Sequence, residues 1–226
     1  MSKNNSAKTI EKWAAAAPEM GKHVYRLTSG PEECKHSYHV FSPWSPNGKY
    51  LLFMRYKHDR SNLDGEICVF ETATGEIKVV GISTHWDTHT AAYQHWLGNQ
   101  NRIAYCSGGS SMEGDEFTLI NVDGGDKKVF AEKGFYLHCS SPDGRYMYGV
   151  TPRDMIFPGD TISELDKKGI LRVDLETGKR DLIFSIAQCI ENLPNKDKLS
   201  GYHLYPKMMV VHPVSGRILF NFVNSL

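Results

Sequence analysis

Apolar positions in this chain come in short β-type runs, broken at regular intervals by Gly, Asn, Asp and Pro. Four runs share one plan: a strand, a tight polar turn and a second strand. They are FSPWSPNGKYLLFMRY (Phe41–Tyr56), YQHWLGNQNRIAYC (Tyr93–Cys106), LHCSSPDGRYMYGV (Leu137–Val150) and MVVHPVSGRILFNF (Met209–Phe222). Pro46, Pro142 and Pro213 pre-set φ at the first turn position, and Gly48, Gly144 and Gly216 supply the positive φ that closes the turn. A second hairpin alternates with the first: GEICVFETATGEIKVV (Gly65–Val80), DEFTLINVDGGDKKVF (Asp115–Phe130) and GILRVDLETGKRDLIF (Gly169–Phe184). One hairpin of each kind makes a four-stranded meander of about 45 residues, and repetition at that period predicts β-propeller blades.

The predicted fold is therefore all-β: a partial propeller of four-stranded antiparallel blades. Blades are expected at about 38–82, 91–131 and 135–185, and half of a fourth at 205–226. A closed propeller takes about four to eight blades, so the chain is expected to be the N-terminal part of a longer one, with open blade edges that invite self-association. Two insertions interrupt the spacing, at Thr151–Lys168 and Ile186–Tyr205, and a short helix is predicted around SIAQCIENL. Residues 1–22 read as an arm with a short helix: Ser6 as its cap, Ile10, Trp13 and Ala14 at helical spacing, and Pro18 near its end.

Charge narrows the partners. Lys plus Arg equals Asp plus Glu at 26 each, so no basic field favours nucleic acid. No stretch reaches the roughly 20 apolar residues of a membrane span. The first residues lack the apolar core of a secretory signal, and a cytoplasmic location is expected. The five cysteines form no CxxC pair, which leaves a zinc knuckle or redox motif without support and predicts buried small hydrophobes. Neither a GxSxG elbow nor a phosphate-binding loop is present.

The histidines carry the clearest chemical signal. His36 and His39 precede the first turn, His85, His89 and His95 the second, His138 the third, and His203 and His212 the fourth. First strands of propeller blades line the central channel, so these side chains are expected at its wall or mouth. If HWDTHTAAYQHW is extended, His85, Asp87 and His89 share one face, and imidazole with carboxylate at that spacing can hold a divalent ion, manganese or similar. The alternative is a polar rim loop. Gln94 and His95 point in opposite directions along a strand, Tyr93 shares the face of His95, and Trp96 is expected to pack between blades.

SPWSPNGKYLLF and SSPDGRYMYG resemble the repeat of TolB-like propellers, and FETATGE and DLETGK match the third-to-fourth strand turns of that repeat. The resemblance runs from about His23 to the end. HVYRLTSGPEECKHSYHVFSPWSPNGKYLLF and LETGKRDLIF are similar, more narrowly, to the oligogalacturonate lyase family. That resemblance implies an acidic, uronate-containing oligosaccharide as substrate, a divalent metal held by histidines, and a histidine base. β-Elimination needs a base near neutral pH, for which His39, His95 and His138 are candidates. It also needs a cation at the uronate carboxylate, and Arg55, Lys207 and Arg153 are candidates. Tyr93 or Tyr38 would protonate the leaving oxygen, with Gln94 and His203 in substrate binding. A different class of reading stays open: a non-catalytic propeller that binds a protein or peptide on its rim, with structural histidines.

Overall fold

The computed structural model describes residues 11–13, 24–28, 30–56, 64–108, 116–131, 135–151, 165–196 and 203–225. A first pair of strands, β1 (Glu11–Trp13) and β2 (Val24–Arg26), runs antiparallel. The first blade follows as β3 (Glu33–Lys35), β4 (Tyr50–Tyr56), β5 (Gly65–Glu71) and β6 (Ile77–Ser83). The second is β7 (His95–Trp96), β8 (Arg102–Gly108), β9 (Glu116–Asn121) and β10 (Lys128–Ala131). The third is β11 (Tyr136–Ser140), β12 (Tyr146–Thr151), β13 (Gly169–Asp174) and β14 (Arg180–Ser185). After a short helix, α1 (Ile186–Glu191), comes a half-blade of β15 (His203–Val211) and β16 (Ile218–Ser225). Each sheet is antiparallel with its strands in sequential order, the meander of a propeller blade.

The helix expected near the N-terminus is not formed by its described residues. Glu11–Trp13 form a strand, with Trp13 opposite Val24 and Glu11 opposite Arg26. An isolated helix this short is marginal in water, whereas the β-prone VYR segment offers a ladder. Ser6, Ile10, Ala14 and Pro18 lie outside the described residues, as do Arg153, His58 and His23. The helix expected around Ile186 is present. Ser185 caps it: its side chain accepts from the Gln188 N–H, and the Gln188 side chain returns a bond to the Ser185 N–H. Ile186 and Cys189 anchor it by burial.

Blades stack because their strands are apolar on both faces. On β8, Ile103 and Tyr105 face the first blade with Leu52, Met54, Ile67 and Val69, while Ala104 and Cys106 face the third with Leu137, Met147 and Val173. On β12 and β13, Met147 and Leu171 turn towards the second blade, and Tyr148, Val150 and Ile170 turn towards Met209 of the half-blade. Period-two side chains thus give one strand to two cores. Cys68, Cys106, Cys139 and Cys189 are buried, the first three with thiols pushed up to about 12 by burial, and Cys34 is exposed.

The recurring turn is built around a buried serine. Ser141 Oγ donates to Asp143 Oδ1 at 2.5 Å and accepts from the Tyr146 N–H at 2.9 Å. Ser45 does the same with Asn47 and Tyr50, at 2.8 and 2.9 Å. Gly48 and Gly144 close these turns at φ 69° and 72°, where a side chain would be strained. In the fourth copy His212 replaces the serine, and its Nδ1 accepts from the N–H groups of Val214 and Ser215. Ser141→Ala is expected to lower stability by about 1–2 kcal/mol, since the Tyr146 N–H loses its partner. A urea midpoint equal to that of the unaltered chain would contradict this.

Candidate functional site

The ladder between the first and second strands of each blade contains an irregularity at the same place. Tyr50, Arg102, Tyr146 and Arg217 close the four turns, each carbonyl accepting from Ser45, Leu97, Ser141 and His212 respectively. Two to four residues beyond those points, the inner strand carries extra residues. In the third blade Leu137 pairs with Gly149 and Cys139 with Tyr148, leaving His138 extra. In the second, the Ala92 carbonyl accepts from Cys106 while His95 pairs with Ala104, leaving Tyr93 in the gap at φ 52°. In the half-blade Lys207 pairs with Asn221 and Val210 with Leu219, leaving Met208 at φ 55°. In the first the excursion is longest. Lys35 pairs with Met54 and the Pro43 carbonyl accepts from Leu52, so the chain between them, including Tyr38, His39 and Phe41, leaves the ladder. Bulges re-aim side chains beside functional sites.

These excursions gather one aromatic and imidazole cluster from three blades. Tyr38 lies 4.1 Å, ring centre to ring centre, from His39, 5.2 Å from His89 and 6.1 Å from Tyr93. Tyr93 stands edge-on to Tyr136 at 4.8 Å and to His138 at 5.9 Å. The Tyr136 hydroxyl donates to the Tyr93 hydroxyl. Burial, reinforced by Tyr136, pushes the Tyr93 phenol well above its ordinary value. His39 and His89 are exposed, whereas Tyr38, Tyr93 and His138 are buried. Accessible imidazoles therefore sit on a buried tyrosine floor. Lys35 donates its ammonium to the Thr88 carbonyl, next to His89, and adds a positive charge at this edge.

Other expected site residues fall elsewhere. His95 is buried, stacked 4.9 Å from Phe41 at 15°, and its Nδ1 meets the Tyr93 carbonyl at 2.8 Å. Burial pulls its pKa down to about 4, so it is neutral at physiological pH. Gln94 is a buried tie: its Oε1 accepts from the Ala92 N–H, and its Nε2 donates to the Lys35 carbonyl. Arg55 is engaged by Glu66 at 2.6 Å across β4 and β5. Lys207 stands half-buried on β15, and His203 opens that strand with its side chain outside the described residues.

His85, Asp87 and His89 do not share a strand face. Asp87 Oδ1 accepts from the N–H groups of His89 (2.5 Å) and Thr90 (2.7 Å), and Oδ2 from the Thr90 hydroxyl. That side chain folds the segment into a turn, closed by Asp87 pairing with Ala91. Burial alone would raise the Asp87 pKa, but the Thr90 and His89 bonds outweigh it and hold the carboxyl below its usual value. Among the described residues no three His, Cys, Asp or Glu side chains are grouped to hold a metal ion. The expected divalent ion therefore has no donor set there.

No protein-family model and no curated protein matches the chain. Among solved structures, it is similar to an oligogalacturonate lyase from Vibrio parahaemolyticus (14% identity, TM-score 0.54), over 79% of this chain and 47% of that one. It is also similar to an oligogalacturonate lyase in complex with manganese (16% identity, TM-score 0.55), over 80% of this chain and 48% of that one. A third match is TolB from Acinetobacter baumannii, at 13% identity and TM-score 0.48, over 90% and 43%. At such identity the likeness shows the fold: a partial β-propeller of three blades and a half. The chain spans about half the length of the lyases it matches.

Proposed function

We propose that this chain belongs to a propeller that takes uronate-containing oligosaccharides at the inner-strand cluster and cleaves them by β-elimination. The observation that carries the reading is the convergence of Tyr38, His39, His89, Tyr93 and His138 from three blades, with His39 and His89 open to solvent. Aromatic faces suit the apolar faces of sugar rings, and an exposed imidazole is a base near neutral pH. In the reaction one such imidazole takes the proton α to the carboxylate. The electrons form the new C=C bond, and the glycosidic oxygen at the β-carbon leaves with a proton from the Tyr38 hydroxyl. The Lys35 ammonium, bonded to the Thr88 carbonyl beside His89, is a cation at this edge, suited to offset charge on the carboxylate as the enolate forms. These steps use this chain's own side chains; the described residues supply no ligand set for a metal.

The test is ultraviolet absorbance of the unsaturated product on incubation with oligogalacturonate, with and without added manganese. His39→Gln and His89→Gln are compared with the unaltered chain. At least one substitution is expected to reduce product formation by about 10²–10⁴-fold, the usual contribution of a positioned base. Failure of the unaltered chain to bind or cleave any uronate oligomer would overturn the reading.

A further inference from the structure

The turns of all four blades surround a cavity of about 420 Å³, which the uronate reading does not use. Trp44, Trp96, Pro142, Val211 and Pro213 supply much of its wall, with Phe41 and His95 at the inner-strand side. Among the described residues no Asp, Glu, Lys or Arg lines it. An anionic sugar would find no counter-charge there, so the lining selects an uncharged guest. Trp44 is 51% exposed, a large aromatic face left uncovered at the mouth.

Among the described lining residues His95 carries a buried polar atom whose hydrogen-bonding demand is unmet. Its Nδ1 lies 2.8 Å from the Tyr93 carbonyl, an acceptor, so Nδ1 carries the proton. Nε2 is then a lone-pair acceptor, and it is buried without a partner among the described residues. An orphaned buried acceptor is costly, and a donor brought by a guest would relieve it. Two neighbouring polar groups are committed elsewhere: the Trp96 Nε1–H donates to the Pro43 carbonyl, and Ser140 Oγ accepts from the Gly98 N–H.

The geometry points to this cavity as a binding site for an uncharged aromatic group carrying one hydrogen-bond donor, of which phenol is the simplest. The ring is held among Trp44, Phe41 and the prolines, and its hydroxyl donates to His95 Nε2. The volume suits a small guest and lies in the ordinary range for ligand pockets.

Phenol and anisole, which lacks the donor, are the probes, titrated into the full chain by ligand-observed NMR. Phenol is expected to saturate, and anisole to bind about tenfold more weakly, the worth of one good hydrogen bond. Trp44→Ala is expected to weaken phenol by about tenfold while leaving the thermal midpoint in place, because the side chain is half exposed. His95→Phe is expected to bring phenol and anisole to equal affinity. Equal binding of the two probes by the unaltered chain, or unchanged phenol affinity in Trp44→Ala, overturns the proposal. These outcomes are independent of whether the chain acts on uronates.

Discussion

Gly149→Ala is expected to destabilise the protein by about 3 kcal/mol, the upper end of what overpacking a core costs. A methyl group at Gly149 would stand 2.4 Å from the Tyr136 carbonyl oxygen and 2.5 Å from the Phe135 ring. The carbonyl belongs to the inner strand opposite, where Leu137 is fully buried, so it has little room to withdraw. Relief would require β11 and β12 to separate beside the His138 bulge, which would also displace Tyr136 from Tyr93. Gly108→Ala is the matched control. Its nearest contact is the flexible Glu116 carboxylate at 3.0 Å, and a change under about 1 kcal/mol is expected. Urea midpoints of the two variants settle the matter: equal shifts would mean that the close approach at Gly149 is not a constraint.

Acid should weaken the fold through His95 before Asp174 titrates. His95 is held neutral by burial with a pKa of about 4, against an ordinary value of 6.5. Above 6.5 neither state binds a proton there, and stability is complete. As pH falls from about 6.5 towards 4 the unfolded chain takes up a proton that the folded chain refuses, so stability drops, reaching a loss of about 3 kcal/mol once both states are charged. Asp174 acts lower. It is held down to about 2, chiefly by the Thr177 N–H and also by the Glu176 N–H and Arg145, and its contribution fades only below its ordinary value of 3.8. Unfolding followed between pH 7 and pH 4.5 should therefore show a decline in the unaltered chain that is shallower in His95→Phe. Identical slopes would show that another group is responsible.

Features governed by local chemistry could be read directly. Ser45 and Ser141, followed by Pro, Asn or Asp, and Gly, write their turns within six residues, and the structure forms those bonds. Blade number followed from the alternation of two hairpins, and the Ser185–Gln188 capping box marks its helix plainly. What escaped was set by strand pairing and by side-chain bonds to the backbone that spacing alone does not show. Glu11–Trp13 has helical spacing but is claimed by Val24–Arg26. His85, Asp87 and His89 alternate like a strand, yet Asp87 spends its carboxylate on the backbone ahead of it. Period-two counting also assumes that no residue is skipped. The extra residues at Tyr93, His138 and Met208 break that count, so the contact of Tyr136 with Tyr93 across blades is not visible from spacing. The buried state of His95 could not be read from a segment so rich in polar residues.

The repeated bulge also bears on how such a chain can change. A residue outside the ladder can be exchanged without moving any neighbour into a different register. Phe41 and its flanking residues, Tyr93, His138 and Met208 occupy equivalent slots in successive blades, and their chemistry already ranges from imidazole and phenol to thioether. The ladders beyond each slot resume their pairing whatever it holds. The inner wall is therefore modular in register: new recognition can be installed one blade at a time without shifting the pairing of the strands around it.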